Sequence, residues 1–167
     1  MSSRIPGAAL ALLVSVTAVG AAQQAPARSA APAAAPATPA AAQAANKIVV
    51  YKSPTCGCCG QWVTYMRNNG FTVEVHDQAD VTPIKTASGV PEALHSCHTA
   101  QVGGYVVEGH VPVEAIRRML RERPQIAGIA VGGMVTGTPG MEAGGRKDPY
   151  DVMAFTRDGR TSVYEHH

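Results

Sequence analysis

Ser53-Pro54-Thr55-Cys56-Gly57-Cys58-Cys59-Gly60 gathers three of the chain's four cysteines within four positions, and the fourth, Cys97, lies in a second polar cluster, His95-Ser96-Cys97-His98. A lone buried cysteine serves as a small apolar filler. Three at this density, set among glycines, have little apolar surface to fill. Thiolate chemistry is the better account, as metal ligation, disulfide exchange or both. Adjacent cysteines such as Cys58 and Cys59 do not pair comfortably with each other, and structural disulfides usually join distant parts of a chain. Clustering therefore argues against a purely structural role.

The elements around the turn make it reactive. Lys47–Tyr51 is a β-branched run that reads as a buried strand, broken by Ser53-Pro54-Thr55. From Cys59 the apolar residues Trp62, Val63 and Met66 recur at helical spacing, with Asn69-Gly70 as a stop. Phe71–Val75 alternates as a second strand, ended by His76-Asp77. Strand, cysteine turn, helix, strand is a βαβ unit with parallel strands. It places Cys56 and Cys59, a C-x-x-C pair, at a helix N-terminus, where free N–H groups and the helix dipole favour the thiolate. C-x-x-C in that setting suggests a thioredoxin-like arrangement.

Further along, Thr82–Ser88 reads as a short helix stopped by Gly89, and Pro91–Leu94 as another turn. Tyr105–Val107 reads as a strand. Pro112 suits the first turn of a helix running to Arg121, with Val113, Ile116, Met119 and Leu120 on its apolar face and Arg117, Arg118 and Arg121 on a solvated one. Ile126–Val131 is apolar and leads into the glycine-rich loop 132–141. Tyr150–Thr156 and Thr161–Tyr164 flank Asp158-Gly159, a hairpin signal. The fold class expected is α/β, with a thioredoxin-like βαβ core and a C-terminal β-hairpin.

The chain has 167 residues, enough for one domain. Arg4, the apolar run from Ala8 to Val19 and Gly20-Ala21-Ala22 read as a signal peptide over residues 1–22. The run is shorter than the roughly 20 residues of a spanning helix, so no membrane span is expected after cleavage. Residues 23–46, nearly all Ala and Pro, read as a disordered linker, leaving 47–167 as the folded domain. A net charge of +2, with no basic patch and interleaved aromatics, argues against nucleic acid as a partner. Secretion places the cysteines where disulfides persist.

Cys56-Gly57-Cys58-Cys59, Ser96-Cys97-His98-Thr99-Ala100, Gly104–Pro112 and Gly137–Glu142 together resemble the CopG-type family of periplasmic copper-resistance proteins, a thioredoxin-like metal-binding domain formerly of unknown function. The resemblance spans nearly all of residues 47–165. It implies copper binding by Cys56, Cys58, Cys59 and Cys97, coupled to thiol or copper redox chemistry, in company with other periplasmic copper-handling proteins. The residues agree, because soft thiolates select Cu(I). Three ligands from one tight turn suit a thiolate-bridged cluster better than a single tetrahedron. Zinc, which accepts four thiolates, ranks behind copper, and an iron–sulfur cluster third. His98 is a candidate ligand or base through its neighbour Cys97, and the resemblance adds His110 and Met141 to the metal candidates. Met134 ranks lower, His76 and His95 read as surface residues, and His166-His167 as a solvated tail. Met66, Met119 and Trp62 read as core.

In one respect the chain departs from thioredoxins, which carry a cis-proline before the strand facing the C-x-x-C. No proline immediately precedes Tyr105, and Cys97-His98 is expected to face the cysteine turn instead. Two rival readings remain: a protein thiol–disulfide oxidoreductase, with Cys56 as nucleophile and Cys59 resolving, or a binding domain stapled by two permanent disulfides. Under the copper reading the redox-active pair is likewise Cys56 and Cys59, and an enzymatic form would be a copper/thiol oxidoreductase.

Overall fold

The computed structural model describes residues 46–167. The signal peptide and all but the last residue of the expected linker lie outside the described residues. The described chain folds around one seven-stranded sheet of order β2-β1-β3-β4-β5-β6-β7. Its strands are β1 (Lys47–Lys52), β2 (Thr72–Asp77), β3 (His98–Val102), β4 (Tyr105–Glu108), β5 (Gly128–Ala130), β6 (Asp151–Phe155) and β7 (Thr161–His166). Three α-helices accompany them: α1 (Gly57–Asn68), α2 (Thr82–Ala87) and α3 (Val113–Glu122), with a 3-10 turn at Glu92–Leu94. Among the described residues no helix is long and apolar enough to cross a membrane.

Helix α1 joins the parallel pair β1 and β2, and α3 joins the parallel pair β4 and β5. The other neighbours, β1 with β3, β3 with β4, β5 with β6 and β6 with β7, are antiparallel. The βαβ unit and the C-terminal hairpin expected from the sequence are thus both present in an α/β fold. Alternation in the strands sorts side chains between two faces. Ile48, Val50, Ala100, Val102, Val107, Ile129 and Val152 meet Trp62, Val63 and Met66 of α1 and Ile116 and Met119 of α3 in the main core. Val90, Leu94, Ala130 and Phe155 form a smaller core, and α2 reaches over the face opposite α1 through Lys85.

Several boundaries differ from the sequence reading for local reasons. Helix α1 begins at Gly57 rather than Cys59, with Cys56 as its N-cap, so the cysteines occupy the cap and first turn. Pro112 is the N-cap of α3, one position before its first turn. β2 runs through His76 to Asp77 in register with Tyr51 and Lys52. The terminal histidines differ: His166, on β7, is solvent-exposed as expected while pairing with Asp151 across the β6–β7 ladder, whereas His167 is half-buried and stacks on Tyr150. His95, expected on the surface, is half-buried and bonds the Val90 carbonyl at 3.2 Å.

β3 is the largest departure. The sequence marks no strand at 98–102, because two of its buried positions carry His98 and Thr99 where an apolar pattern would be sought. This strand, not Tyr105–Glu108, pairs with β1, matching Lys52 to His98 and Val50 to Ala100. Cys97 therefore directly precedes the strand beside the cysteine turn.

Met119 is fully buried under the sheet, and its truncation leaves a cavity that the surrounding side chains refill only in part. Met119→Ala should lower unfolding free energy by about 2–5 kcal/mol, read as a lower urea midpoint with unchanged slope.

Candidate metal centre

Two segments converge at the N-terminus of α1. Cys56 caps the helix in extended conformation, and its sulfur accepts from the Cys59 N–H at 3.4 Å. Helical geometry then turns Cys58 and Cys59 apart. Cys58 is half-exposed, whereas Cys59 is fully buried. Cys56 and Cys59 are joined in a disulfide with a Cα separation of 5.4 Å, within the ordinary range for such a bond. Cys58 and Cys97 are free thiols, so the structure holds one disulfide among the four cysteines rather than two. The Cys58 sulfur lies 3.5 Å from that of Cys56, and the four sulfurs all lie within 4.8 Å of one another.

The second group is buried behind the first. One ligand atom from each of Cys59, His98 and His110 also falls within a mutual 4.8 Å. β3 turns His98 onto the α1 face, where its ring sits 4.4 Å from that of Trp62 and 5.0 Å from that of His110. Trp62 is itself anchored by its indole N–H, which donates to the Val111 carbonyl at 3.0 Å. His110 lies just beyond β4. Its Nδ1 is 2.8 Å from the Pro139 carbonyl, which can only accept, so Nδ1 carries the proton and Nε2 offers a lone pair.

Burial without partners distinguishes these imidazoles. Both ring nitrogens of His98 and Nε2 of His110 are buried with no hydrogen-bond partner among the described residues. Such groups are uncommon because an unmade buried hydrogen bond costs about 1–3 kcal/mol. Burial, then His110, Lys85 and Lys52 in that order, holds His98 well below the ordinary histidine range. Burial likewise lowers His110, partly opposed by the Pro139 carbonyl and Glu142. Burial, and then the neighbouring Cys58, raises the Cys97 thiol. The arrangement offers neutral imidazoles and thiols that must lose protons to bind a cation. Two-electron reduction of the Cys56–Cys59 bond would complete the set. The donor set fits a soft or borderline metal ion.

The glycine-rich loop closes one side. Gly140, at φ +81°, packs so tightly that a Cβ there would come within 2.8 Å of the Trp62 backbone nitrogen and 2.9 Å of the Cys58 carbonyl oxygen. Met141 follows it, half-buried. Met134 is 65 % exposed and is not covered by the fold. The expected placement of Cys97-His98 beside the cysteine turn agrees with this geometry. Sequence reasoning missed the buried pair Lys85 and Glu108, 2.5 Å apart. Its signal was weak: a lysine in a short helix and a glutamate ending a strand ordinarily face solvent.

Depressed histidine protonation has a sign that can be checked. Below about pH 6.5 the unfolded chain takes up protons that folded His98 resists, so stability falls as pH falls. Urea midpoints measured from pH 7.5 down to pH 5 should decline for the parent, and the series for His98→Phe should be flatter.

The chain is similar to known proteins. A family model described as "Protein of unknown function, DUF411" matches residues 94–141, the span holding Cys97, His98, His110 and Met141. No curated protein matches the chain. Among solved structures, "Copper resistance protein copG- Form 2" is 44 % identical over 72 % of this chain and 97 % of its own, with a TM-score of 0.69. "Copper resistance protein copG- Form 1" has the same identity and TM-score and is covered over 96 % of its length. At that identity, over nearly the whole of both relatives, the chain belongs to the CopG copper-resistance family.

Proposed function

We propose that this is a periplasmic protein of copper resistance that holds Cu(I) in a thiolate-bridged cluster. Cys56, Cys58, Cys59 and Cys97 supply the thiolates. His98 and His110 extend the donor set inward from Cys59, and the thioether of Met141 closes it from the loop. One observation carries the reading: four sulfurs within 4.8 Å share Cys59 with two buried imidazoles that keep nitrogens without a hydrogen-bond partner among the described residues. A donor shared between two groups suits several metal ions better than one. The name of the two similar structures supports copper over zinc.

Metal load and thiol state are linked in this reading. Cys56 and Cys59 bind only as thiolates, so their disulfide and a full complement of copper exclude each other. The βαβ core, with the pair at the mouth of α1, is thioredoxin-like in this sense. The enzymatic form of the proposal is a copper/thiol oxidoreductase with Cys56 and Cys59 as the redox-active pair. The Cys56–Cys59 bond also favours a second reading, a protein thiol–disulfide oxidoreductase. That reading leaves Cys58, Cys97 and the two histidines without a task.

An anaerobic Cu(I) titration of the reduced, signal-free protein against a competing chelator separates the two. The expected result is tight binding of more than one copper, lost in both Cys58→Ser and Cys97→Ser. Binding that is weak, or indifferent to both substitutions, would favour disulfide exchange by Cys56 and Cys59 alone.

A further inference from the structure

Lys85 and Glu108 are 3 % and 0 % exposed, and neither lies in the donor set. Two charges this deep are a poor means of gaining stability, because desolvation offsets much of their attraction. Their hydrogen bonds point to another role. One carboxylate oxygen of Glu108 accepts from Lys85 Nζ at 2.5 Å and from the backbone N–H of Ser96 at 2.6 Å. The other accepts from the Thr99 hydroxyl at 2.7 Å, and Lys85 also donates to that hydroxyl at 3.1 Å. Ser96 and Thr99 are the residues on either side of Cys97-His98.

We propose that Glu108, braced by Lys85, is a positioning residue of the metal centre, gripping both flanks of the Cys97-His98 dipeptide with one carboxylate. The proposal rests on the reading of the centre as a metal site, but its geometric part stands without metal. Cys97 needs such a grip because it lies before the β3 ladder begins at His98 and after an isolated bridge between Ser96 and Gly133. β3 alternates, so His98 faces α1 while Thr99 faces the opposite side of the sheet, where Glu108 is its register partner. The carboxylate thus holds the dipeptide from the face away from the His98 imidazole and bonds neither the Cys97 sulfur nor the imidazole. Gly109 permits the close approach. At φ +72°, a Cβ there would collide with Ser96 and with the Val131 carbonyl.

Removing one charge alone would strand the other, so the test uses paired substitutions. Lys85→Met/Glu108→Gln keeps an acceptor for the Ser96 N–H and a polar group for Thr99 without either charge. Lys85→Met/Glu108→Leu removes the grip. The metal-free readout is cross-linking of Cys58 to Cys97 by the azo oxidant diamide, in a Cys56→Ser/Cys59→Ser background. The two thiols lose two electrons and two protons to the N=N bond and form one disulfide, followed by peptide mapping. The metal readout is Cu(I) affinity of the same pairs with all four cysteines present.

The amide pair should match the parent in both readouts. The leucine pair, with an unchanged circular dichroism spectrum, should cross-link several-fold more slowly and bind Cu(I) roughly 10–100-fold more weakly, as loss of a partner that orients a ligand does. A folded leucine pair that equals the parent in both overturns the proposal. If that pair does not fold, Thr99→Val, which deletes one flank contact, takes its place, and an unchanged cross-linking rate overturns it equally. A parent that binds no copper refutes the metal reading, while the cross-linking comparison still decides the role of Glu108.

Discussion

Three buried imidazole nitrogens without hydrogen-bond partners, both of His98 and Nε2 of His110, constrain everything around them. Polar groups in that position are costly unless something satisfies them; His98 packs against Trp62 and His110 with neither nitrogen bonded, and His110 keeps one hydrogen bond, from Nδ1 to the Pro139 carbonyl. The fold commits much local structure to keeping them so. β3 carries a histidine at a buried position, the glycine-rich loop approaches α1 closely enough to present the Pro139 carbonyl to His110, and burial keeps both rings neutral. The cost is understandable if the nitrogens are reserved for a ligand that enters with the thiolates.

Cys59 connects this buried group to the surface. Its position in the first turn of α1 turns it inward while Cys58 and Cys56 stay near solvent. The same sulfur belongs to the four-cysteine group, the histidine group and the disulfide. Forming or reducing this one disulfide therefore changes two donor groups at once. This coupling arises from the period of the helix alone, since C-x-C-C at a helix start places consecutive cysteines on different sides.

Much of the site was legible in the residues. The helix N-terminus that carries the thiols, the strand before it and the clustering of thiols all follow from local pattern, His98 was marked by its neighbour Cys97, and the family resemblance added His110. What was not legible came from positions that break the pattern. His98 and Thr99 disguise β3 as a polar turn, and Lys85 and Glu108 look like surface charges until the sheet register brings them together. Tertiary context overrode local preference where the centre is built, as expected where a fold departs from simple burial rules for a functional reason.

The sequence by itself determined the chemistry: soft donors in one turn, a helix to polarise them, and a second segment with the fourth thiol. Only the tertiary structure decided which atoms meet. The separation between Cys97 and the turn depends on antiparallel pairing of β3 with β1, a contact between residues some fifty positions apart, and on a buried carboxylate from the next strand. Such distances depend on sheet register and long-range packing, which no short window of residues encodes.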